Sequence, residues 1–507
     1  MNLRTIAVLL FLSVSLFVLC GRLAAQEEEA QDPPTPMETT VSPTDDIDTI
    51  NAKIEKLEDG GTLYFSPGQY HFNKSLVIMN KSITLRGSES TQKEDVVLTS
   101  DAQKTISIVG NLREDKGYCK ITIEGITVRN DYQPEKHFVE YVRRSVMKPR
   151  EWLCSTFFTP KPSDDPFWIA PPEDTQPKEQ PRFCPSVNCA IKQCCGYLDV
   201  ISCELSAPQG IAVNVVDLFP EEELKGLPLL WEIIPYVVDT CITDSLICGS
   251  LTAVKTSRPL SLRDSIISNN EEGISLHAKS RGNIDNVQFT GNNIGLSADD
   301  SSAAAVNSCA FLGNNTAVSS QGENCSLQVN QSRFEKNKTE DISCLAGTLF
   351  ALSCTHSGGE GNAYNCLSPN VFLSDTSIEG YPVGINCSIL TDTSEDGFPV
   401  GIASLSRGAC RARNVTIRHC KTAIRCFGAL PLLIQDSSIA DCEQGVSYET
   451  EYKRSVPPFE KIKRVDGTPL FGRYERNRFT DTSAPWNIPS GPSPVDSVYR
   501  RDNEPNQ

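Results

Sequence analysis

The middle of the chain repeats one short pattern four times. The four copies are Ile267-Ser268-Asn269-Asn270, Phe289-Thr290-Gly291-Asn292, Phe311-Leu312-Gly313-Asn314 and Phe334-Glu335-Lys336-Asn337. Their apolar first positions are 22, 22 and 23 residues apart, and each is followed three positions later by asparagine. Self-similarity at a fixed period indicates a structural unit that stacks on copies of itself.

The positions around this pattern keep the same order. A small residue and then an aliphatic residue follow the first three anchors, as Gly273-Ile274, Gly295-Leu296 and Ala317-Val318. The same order returns after Ile378, Ile417 and Ile439. The repeat is therefore expected to continue to about residue 449.

The period excludes most repeat architectures. Helical repeats are longer and have a 3.6-residue periodicity, whereas these units consist of short β-prone runs separated by Gly, Asn, Asp and Ser. Leucine-rich repeats have this length but need a Leu/Asn framework that is missing here. A parallel β-solenoid fits, with one repeat per rung and a narrow core of Ile, Phe and Val. Asparagine suits its turns, because it tolerates left-handed backbone and can bond to its neighbour ~4.8 Å away.

The entry into the repeat region also has a distinctive pattern. Ile50-Asn51-Ala52-Lys53-Ile54 is followed by Asp59-Gly60-Gly61-Thr62-Leu63-Tyr64-Phe65-Ser66-Pro67-Gly68-Gln69-Tyr70. Together with the repeat, this segment resembles the capping helix and first strand of the pectin-lyase-like superfamily, over residues 48–130 and 186–449. The resemblance implies an all-β, right-handed parallel β-helix (solenoid) with an N-terminal cap and loop excursions. It leaves the activity open, because the superfamily includes lyases, hydrolases, epimerases, esterases and non-catalytic adhesins.

Composition and the N-terminus restrict the class of function. The chain has 507 residues and a net charge of −17, which argues against a nucleic-acid-binding protein. Arg4, the apolar run 6–19 and Ala24-Ala25 indicate a secretory signal peptide over residues 1–25. A lipid anchor on Cys20 is the alternative. Since no later run reaches about 18 apolar residues, we expect no transmembrane segment, and a secreted, periplasmic or cell-surface protein.

The rest of the chain divides by composition. Residues 26–47 are acidic and almost free of large apolar side chains, which is typical of a disordered linker. The β-helix is expected over 48–449, with an insertion rich in proline and aromatic residues at 131–185. Residues 450–507 have no periodicity and are expected to form a flexible C-terminal tail.

Equivalent positions in neighbouring repeats suggest a candidate catalytic site. His277 and Asp299 are 22 residues apart, so we expect them on adjacent rungs, with Asp300 beside them. A histidine next to carboxylates can act as a base, and paired carboxylates can protonate a glycosidic oxygen or, with Glu271 and Glu272, hold calcium. The alternative is an ordinary polar turn. Of the motifs of polygalacturonase-like hydrolases, only Asp299-Asp300 has a counterpart here.

The insertion supplies candidate substrate-binding residues. Trp152, Phe167 and Trp168 lie within it, and aromatic rings bind sugar faces through apolar contact. The alternative is that these rings pack locally within a loop.

The 20 cysteines suggest disulfides rather than metal sites. C-x₂-C pairs are absent, no histidine pair has a metal-binding spacing, and an exported chain encounters oxidising conditions. Cys420 and Cys442 are 22 residues apart in the column that elsewhere holds asparagine, which predicts a disulfide. Cys387 and Cys426 are expected to share the inward face, where they either pair or simply pack.

These observations favour an exported right-handed β-helix protein that binds or processes polysaccharide. If it is an enzyme, it is a polysaccharide lyase or glycoside hydrolase. The alternative is a non-catalytic extracellular or cell-envelope scaffold or adhesion protein. Copper delivery is disfavoured by the 4 Met and 5 His. The net charge of −17 opposes an anionic polymer unless a cation or a local basic strip intervenes.

Overall fold

A computed structural model provides the structure of the chain. It describes residues 37–88, 95–109, 119–133, 188–194, 196–216, 238–299, 301–322, 324–345, 347–366, 370–388, 409–427, 432–449, 451–453, 461–463, 471–487 and 497–501. The signal peptide, Asp300 and the candidate residues Trp152, Phe167 and Trp168 lie outside these ranges.

Three long parallel sheets make up the described chain, and each turn of the chain adds one strand to each sheet in the order 1, 2, 3. The sixteen strands of sheet 1 are Glu38–Val41, Gly61–Phe65, Ile83–Gly87, Lys120–Glu124, Gly196–Ile201, Val238–Thr243, Leu260–Arg263, Arg281–Asp285, Ala303–Asn307, Ser326–Asn330, Thr348–Leu352, Asn370–Ser374, Ala409–Arg413, Leu432–Gln435, Phe471–Glu475 and Ser497–Arg501. The fourteen strands of sheet 2 are Gly68–Phe72, Val96–Ser100, Thr127–Asn130, Glu204–Ser206, Leu246–Cys248, Ile266–Ser268, Gln288–Thr290, Ala310–Leu312, Arg333–Glu335, Thr355–Ser357, Ser377–Glu379, Thr416–Arg418, Ser438–Ala440 and Arg478–Thr480. The fourteen strands of sheet 3 are Leu76–Met79, Lys104–Val109, Cys189–Gln193, Ile211–Val215, Thr252–Thr256, Glu272–Leu276, Ile294–Ala298, Thr316–Ser320, Glu340–Cys344, Asn362–Cys366, Val383–Ser388, Thr422–Phe427, Gln444–Glu449 and Ala484–Asn487.

This architecture is a right-handed parallel β-helix, as predicted from the repeat. Ile267, Phe289, Phe311 and Phe334, the anchors of the repeat, are direct neighbours across sheet 2. One period of the sequence is therefore one rung. A short antiparallel pair, Glu451–Lys453 with Lys461–Lys463, lies outside the three sheets.

The core is a narrow column because strands alternate inward and outward side chains. The rings of Phe289, Phe311 and Phe334 stack with centroid separations of 4.6 and 4.9 Å and are fully buried. Parallel neighbours hold identical side chains at the strand spacing, so planar rings in one column stack face to face.

Two corners of each rung begin with a left-handed residue. Between sheets 1 and 2 these residues include Asp264, Asn286 and Ser308, and between sheets 2 and 3 they include Asn269, Gly291 and Gly313. In most rungs the next residue has a side-chain donor, as when Ser265 donates to the carbonyl of Arg263 and Asn270 to that of Ser268. Val287, which follows Asn286, has no donor, and Asn292 donates instead to the carbonyl of Ile267 in the preceding rung.

The asparagine column is continuous at the corner between sheets 2 and 3. The Oδ1 of Asn292 accepts the backbone N–H of Asn270, and the same bond joins Asn314 to Asn292 and Asn337 to Asn314, at 2.8–3.0 Å. The predicted bonding between stacked amides is confirmed, since the Nδ2 of Asn270 also donates to Oδ1 of Asn292 at 3.0 Å.

One helix in the described chain, Ile47–Lys56, caps the N-terminal end of the solenoid. Asp46 is its N-cap, and the carboxylate accepts the backbone N–H of Thr49 at 2.7 Å. Ile50 and Ile54 are buried on the helix face that covers the core. No described helix is long and apolar enough to cross a membrane.

The β-helix is longer at both ends than the sequence indicated. Residues 26–47 were expected to form a linker, but strand Glu38–Val41 pairs in parallel with Gly61–Phe65 and helix Ile47–Lys56 begins at the end of that range. Residues 450–507 were expected to form a flexible tail, but Phe471–Glu475 and Ser497–Arg501 continue sheet 1. Both segments are short and separated from their neighbours by irregular sequence, so no period marks them.

Candidate functional site

The structure brings His277 and Asp299 onto adjacent rungs. Leu276 and Ala298 are register partners in sheet 3, and these two residues follow them directly. The backbone N–H of Asp299 donates to the carbonyl of Leu276 at 2.9 Å. Asp300, the third catalytic candidate, lies outside the described residues.

Glu272 is a titratable group in the same part of sheet 3. It is 8% exposed, and burial raises the pKa of its carboxyl to about 7. Lys255 and the hydroxyls of Ser275 and Ser297 favour the ionised form, whereas the charge of Asp299 opposes it. A carboxyl that titrates near neutral pH can donate a proton to a leaving group. From the sequence, Glu272 was considered only as a calcium ligand.

A calcium ion needs several oxygen ligands in one place. Among the residues that the structure describes, no group of three or more His, Cys, Asp or Glu side chains is arranged to hold a metal ion. Glu271, the other residue considered for calcium, is exposed.

A concavity of about 650 Å³ lies on the outer face of sheet 1. It crosses five successive strands, from Ser326–Asn330 to Leu432–Gln435. Its lining residues are Gln328, Asn330, Phe350, Ala351, Leu352, Phe372, Leu373, Ser374, Arg411, Ala412, Arg413, Leu433 and Gln435. The concavity is therefore elongated along the axis of the solenoid.

Two aromatic rings form its floor. Phe350 and Phe372 are register partners that stack with centroids 4.8 Å apart and planes 8° apart. Phe350 and the nearby Leu352 are each 44% exposed, which is unusual for large apolar side chains on a regular strand. The guanidinium carbon of Arg411 lies 5.5 Å from the centroid of the Phe372 ring, in a cation–π contact.

Polar groups surround the aromatic floor. Asn330 donates its side-chain amide to Asn307 at 2.9 Å, and Gln435 donates to Glu475 at 2.7 Å. Arg413 contacts Asp436 at 3.3 Å while its side chain remains 72% exposed. Hydrogen-bonding groups thus lie along the edge of an apolar surface, as in ligand sites that orient a polar molecule.

The rung at 409–427 is strongly basic. It contains Arg411, Arg413, Arg418, Lys421 and Arg425 and no Asp or Glu. In a chain of net charge −17 this is a local reversal of sign, and Arg411 and Arg413 place part of it beside the aromatic floor. It is the local basic strip that an anionic polymer would need.

The sequence analysis did not identify this surface. Leu349-Phe350-Ala351-Leu352 is a continuous apolar run, and such a run does not reveal which side chains face outward. The missed signal is the register: Phe350 is equivalent to the polar Gln328 one rung earlier, which marks the position as outward.

A second cluster of chemically active side chains is fully buried in the core. His356 Nδ1 lies 2.8 Å from Oδ2 of Asp341, and its Nε2 lies 2.8 Å from the hydroxyl of Tyr364. The hydroxyl of Tyr381 donates to the same Oδ2 at 2.6 Å, and Asn337 donates to Oδ1 at 2.8 Å. All five residues are at most 2% exposed, so this network holds rungs together and has no access to substrate.

The predicted cysteine positions are correct, but the sulfurs are thiols. Cys387 and Cys426 are register partners that face the core, and none of the sixteen cysteines among the described residues forms a disulfide. Cys420 donates its thiol to the carbonyl of Arg418 at 3.3 Å and Cys442 to that of Ala440 at 3.2 Å. These two thiols therefore do at the corner what the amide of Asn270 does in its rung, which is why the column accepts cysteine.

Comparisons with known proteins give matches only among solved structures. No family model and no curated protein matches the chain. Among solved structures, the catalytic unit of a thermostable GH87 alpha-1,3-glucanase from Streptomyces thermodiastaticus strain HF3-3 is 11% identical, with 95% of this chain and 71% of that chain covered and a TM-score of 0.30. A GH87 alpha-1,3-glucanase catalytic domain in complex with nigerose is 10% identical, with coverages of 94% and 70% and a TM-score of 0.36. The A-module of the Azotobacter vinelandii mannuronan C-5 epimerase AlgE4 is 10% identical, with coverages of 90% and 96% and a TM-score of 0.31.

The chain is thus a right-handed parallel β-helix protein of the architecture that the pectin-lyase-like resemblance implied. This assignment rests on its strand order and register. A similar fold at this level of identity does not transfer an activity.

Proposed function

We propose that the protein is an exported β-helix that binds polysaccharide across Phe350 and Phe372 on the outer face of sheet 1. The observation that carries the proposal is the stacked pair of Phe350, which is 44% exposed, and the half-buried Phe372 in an elongated concavity. The signal-peptide pattern of residues 1–25 supports export.

The geometry of the floor suits a chain of sugar rings. Phe350 and Arg411 lie on opposite faces of the Phe372 ring, so the apolar surface open to a sugar is the exposed part of Phe350 and the ring edge of Phe372. The hydroxyls of the sugar need partners at the rim of the concavity. Asn330 and Gln435 supply amides on either side of the rings. A polymer lying along the solenoid axis meets successive rungs, so an extended ligand contacts several strands at once.

Arg411 and Arg413 favour sugars that carry carboxylate groups. Arginine binds carboxylates through paired charge-assisted hydrogen bonds. Arg411 lies over the Phe372 ring, and among the described residues it forms no ion pair. We therefore expect acidic polysaccharides to bind more tightly than neutral ones, and this preference to weaken as salt is added.

The test is a binding screen of the purified protein against acidic and neutral polysaccharides, followed by the variant Phe350→Ala. Because the ring is exposed, the variant should fold normally and lose at least about tenfold in affinity, the usual loss at a dominant contact. Ile266→Ala is the matched control, since Ile266 is 43% exposed on sheet 2.

Two results would contradict the proposal. Equal affinity of the wild type and Phe350→Ala would show that the aromatic rings do not contribute to the binding site. Absence of binding to every polymer would favour the alternative of a non-catalytic scaffold or adhesion protein. Arg411→Ala tests charge separately, and it should weaken binding of acidic polymers alone.

Polysaccharide cleavage is a second candidate function, favoured by Glu272, whose pKa is raised by burial and by the charge of Asp299. A protonated Glu272 and an ionised Asp299 would be an acid and a base or nucleophile in glycoside hydrolysis. The test is release of reducing ends or of unsaturated products, with and without calcium. Cleavage that survives in both Glu272→Gln and Asp299→Ala would exclude this site.

A further inference from the structure

The described cysteines have two different roles. Cys203, Cys309, Cys354, Cys420 and Cys442 are corner residues, and each donates its thiol to the carbonyl two positions earlier. A second group, Cys344, Cys366, Cys387, Cys410 and Cys426, lies on strands and faces the core. The hydrogen bonds at the corners therefore explain why cysteine occurs in the first group, but they do not explain the cysteines of the second group.

Within the second group, Cys387 and Cys410 face each other across the core. Cys387 is on strand Val383–Ser388 of sheet 3, and Cys410 is on strand Ala409–Arg413 of sheet 1. The two sulfur atoms are 3.2 Å apart, and both residues are at most 1% exposed. Each thiol thus lies against the atom with which it would form a bond.

The direction of the side chains selects this pair over its neighbours. Cys366 and Cys426 are the register partners of Cys387 in sheet 3, so their Cα–Cβ bonds run parallel to its own. Cysteines whose Cβ vectors do not converge are poorly placed for a disulfide. Cys410 lies on the facing sheet, so its Cα–Cβ bond points towards Cys387.

We infer that Cys387 and Cys410 form a disulfide in the exported protein. It would join strand Val383–Ser388 of sheet 3 to strand Ala409–Arg413, the next described strand along the chain. A bond across so short a segment restricts the unfolded chain locally and joins two walls of the solenoid.

The chemistry is thiol–disulfide exchange with a disulfide of the exporting compartment, such as a protein disulfide or oxidised glutathione. The thiolate of one cysteine attacks that disulfide and releases one reduced thiol. The second thiolate then attacks the mixed disulfide and releases the other. Two protein thiols are oxidised, one external disulfide is reduced to two thiols, and the two protons that leave the protein thiols end on the two released thiols.

The burial of the two thiols determines the stage of folding at which the exchange can occur. The hydrogen bond between Cys410 and Cys387, and then burial, raises the pKa of the Cys410 thiol well above its usual value. The thiolate is the reactive form, so exchange belongs to the stage before the core closes, and the buried pair is afterwards protected.

Peptide mapping of the full chain, secreted through an oxidising pathway, tests the inference. Free thiols are blocked with iodoacetamide in denaturant without reductant, and the chain is cut after Lys, Arg and Glu. The sequence separates the relevant thiols: Cys387 falls in fragment 380–395, Cys410 in 408–411, Cys366 in 361–379 and Cys426 in 426–443. We expect fragments 380–395 and 408–411 to be joined, and to separate on reduction.

Three outcomes overturn the inference: both thiols fully alkylated, Cys387 joined to Cys366, or Cys387 joined to Cys426. Cys410→Ser should abolish the joined fragments and leave Cys387 alkylated, whereas Cys366→Ser should leave them joined. Because the wild-type map decides the pairing by itself, the test does not depend on whether either variant folds.

Discussion

The central rungs and the later rungs build the same cross-section from different residues. In the centre, the corner between sheets 2 and 3 holds asparagine and the neighbouring core column holds phenylalanine. In the later rungs the corresponding corner residues are Gly359, Tyr381, Cys420 and Cys442. The strands nevertheless stay in the same register. Each column therefore accepts several residue types, and at the corner these include Gly359, which has no side-chain donor.

The two regions meet at the buried network. His356 takes the column of Phe334 and still stacks on it, with centroids 4.6 Å apart, while Asp341 replaces the Gly or Ala of earlier rungs. Gly359 leaves space for the Tyr381 ring, because a Cβ at that position would overlap it. Four substitutions thus compensate one another, and none is acceptable alone.

Breaking this network should produce the largest loss of stability. Asp341→Ala removes the carboxylate that binds His356, Tyr381 and Asn337. The free energy of unfolding should fall by about 3–5 kcal/mol, the cost of leaving buried polar partners unpaired. Denaturant unfolding followed by circular dichroism measures the change.

A double variant separates a lost network from a damaged core. Asp341→Ala with His356→Phe restores the residue types of the central rungs in both columns. It should be more stable than Asp341→Ala alone, because no imidazole remains without its partner. Equal stability of the two variants would show that the network contributes nothing beyond packing.

Within the central rungs, Glu272 should give a smaller effect that depends on pH. The folded state holds its pKa at about 7 against an ordinary value of 4.5, so stability is full below 4.5 and falls as pH rises towards 7. Glu272→Gln removes this loss. Its stability should exceed that of the wild type by up to about 3 kcal/mol above pH 7 and match it near pH 4.

Unfolding curves at both pH values test the sign. Glu271→Gln is the control, since Glu271 is the exposed neighbour of Glu272. A difference between Glu272→Gln and the wild type that did not vary with pH would contradict the raised pKa.

Single substitutions in the column of stacked asparagines should produce the smallest loss of stability. Asn292→Ala leaves the buried N–H of Asn270 without its acceptor and should cost about 2 kcal/mol. Asn293→Ala, at a half-buried position, should cost under about 0.5 kcal/mol. Thermal unfolding compares the two, and equal losses would show that the column is dispensable.

Much of the fold could be predicted, because each rung repeats the same residue types at a nearly constant spacing in the sequence. The spacing from Phe289 to Phe311 predicted their contact, and the asparagines that follow predicted the corner bonds. The ends could not be predicted in this way. Phe479 lies 40 residues after Ile439, its partner in sheet 2, since an irregular stretch intervenes. Pro485 in the last strand of sheet 3 hides the strand pattern further.

The candidate site was predictable only in part. Adjacency of His277 and Asp299 followed from the period, whereas the exposed face of Phe350 depends on register between rungs. The disulfide predicted for Cys420 and Cys442 considered only spacing. It did not include the carbonyls that compete for the thiols, which become visible only when the corner is built.

The corners also determine where the chain can change in length. A left-handed residue begins the corner between sheets 1 and 2 and the corner between sheets 2 and 3 in every rung from residue 238 to 449, and these corners vary little in length. The first always has two residues and the second has three or four. The segments between sheets 3 and 1 range from three residues to the twenty of 389–408. Insertions can accumulate along that one edge while the rungs beneath them stay unchanged, so the edge can diversify independently of the scaffold.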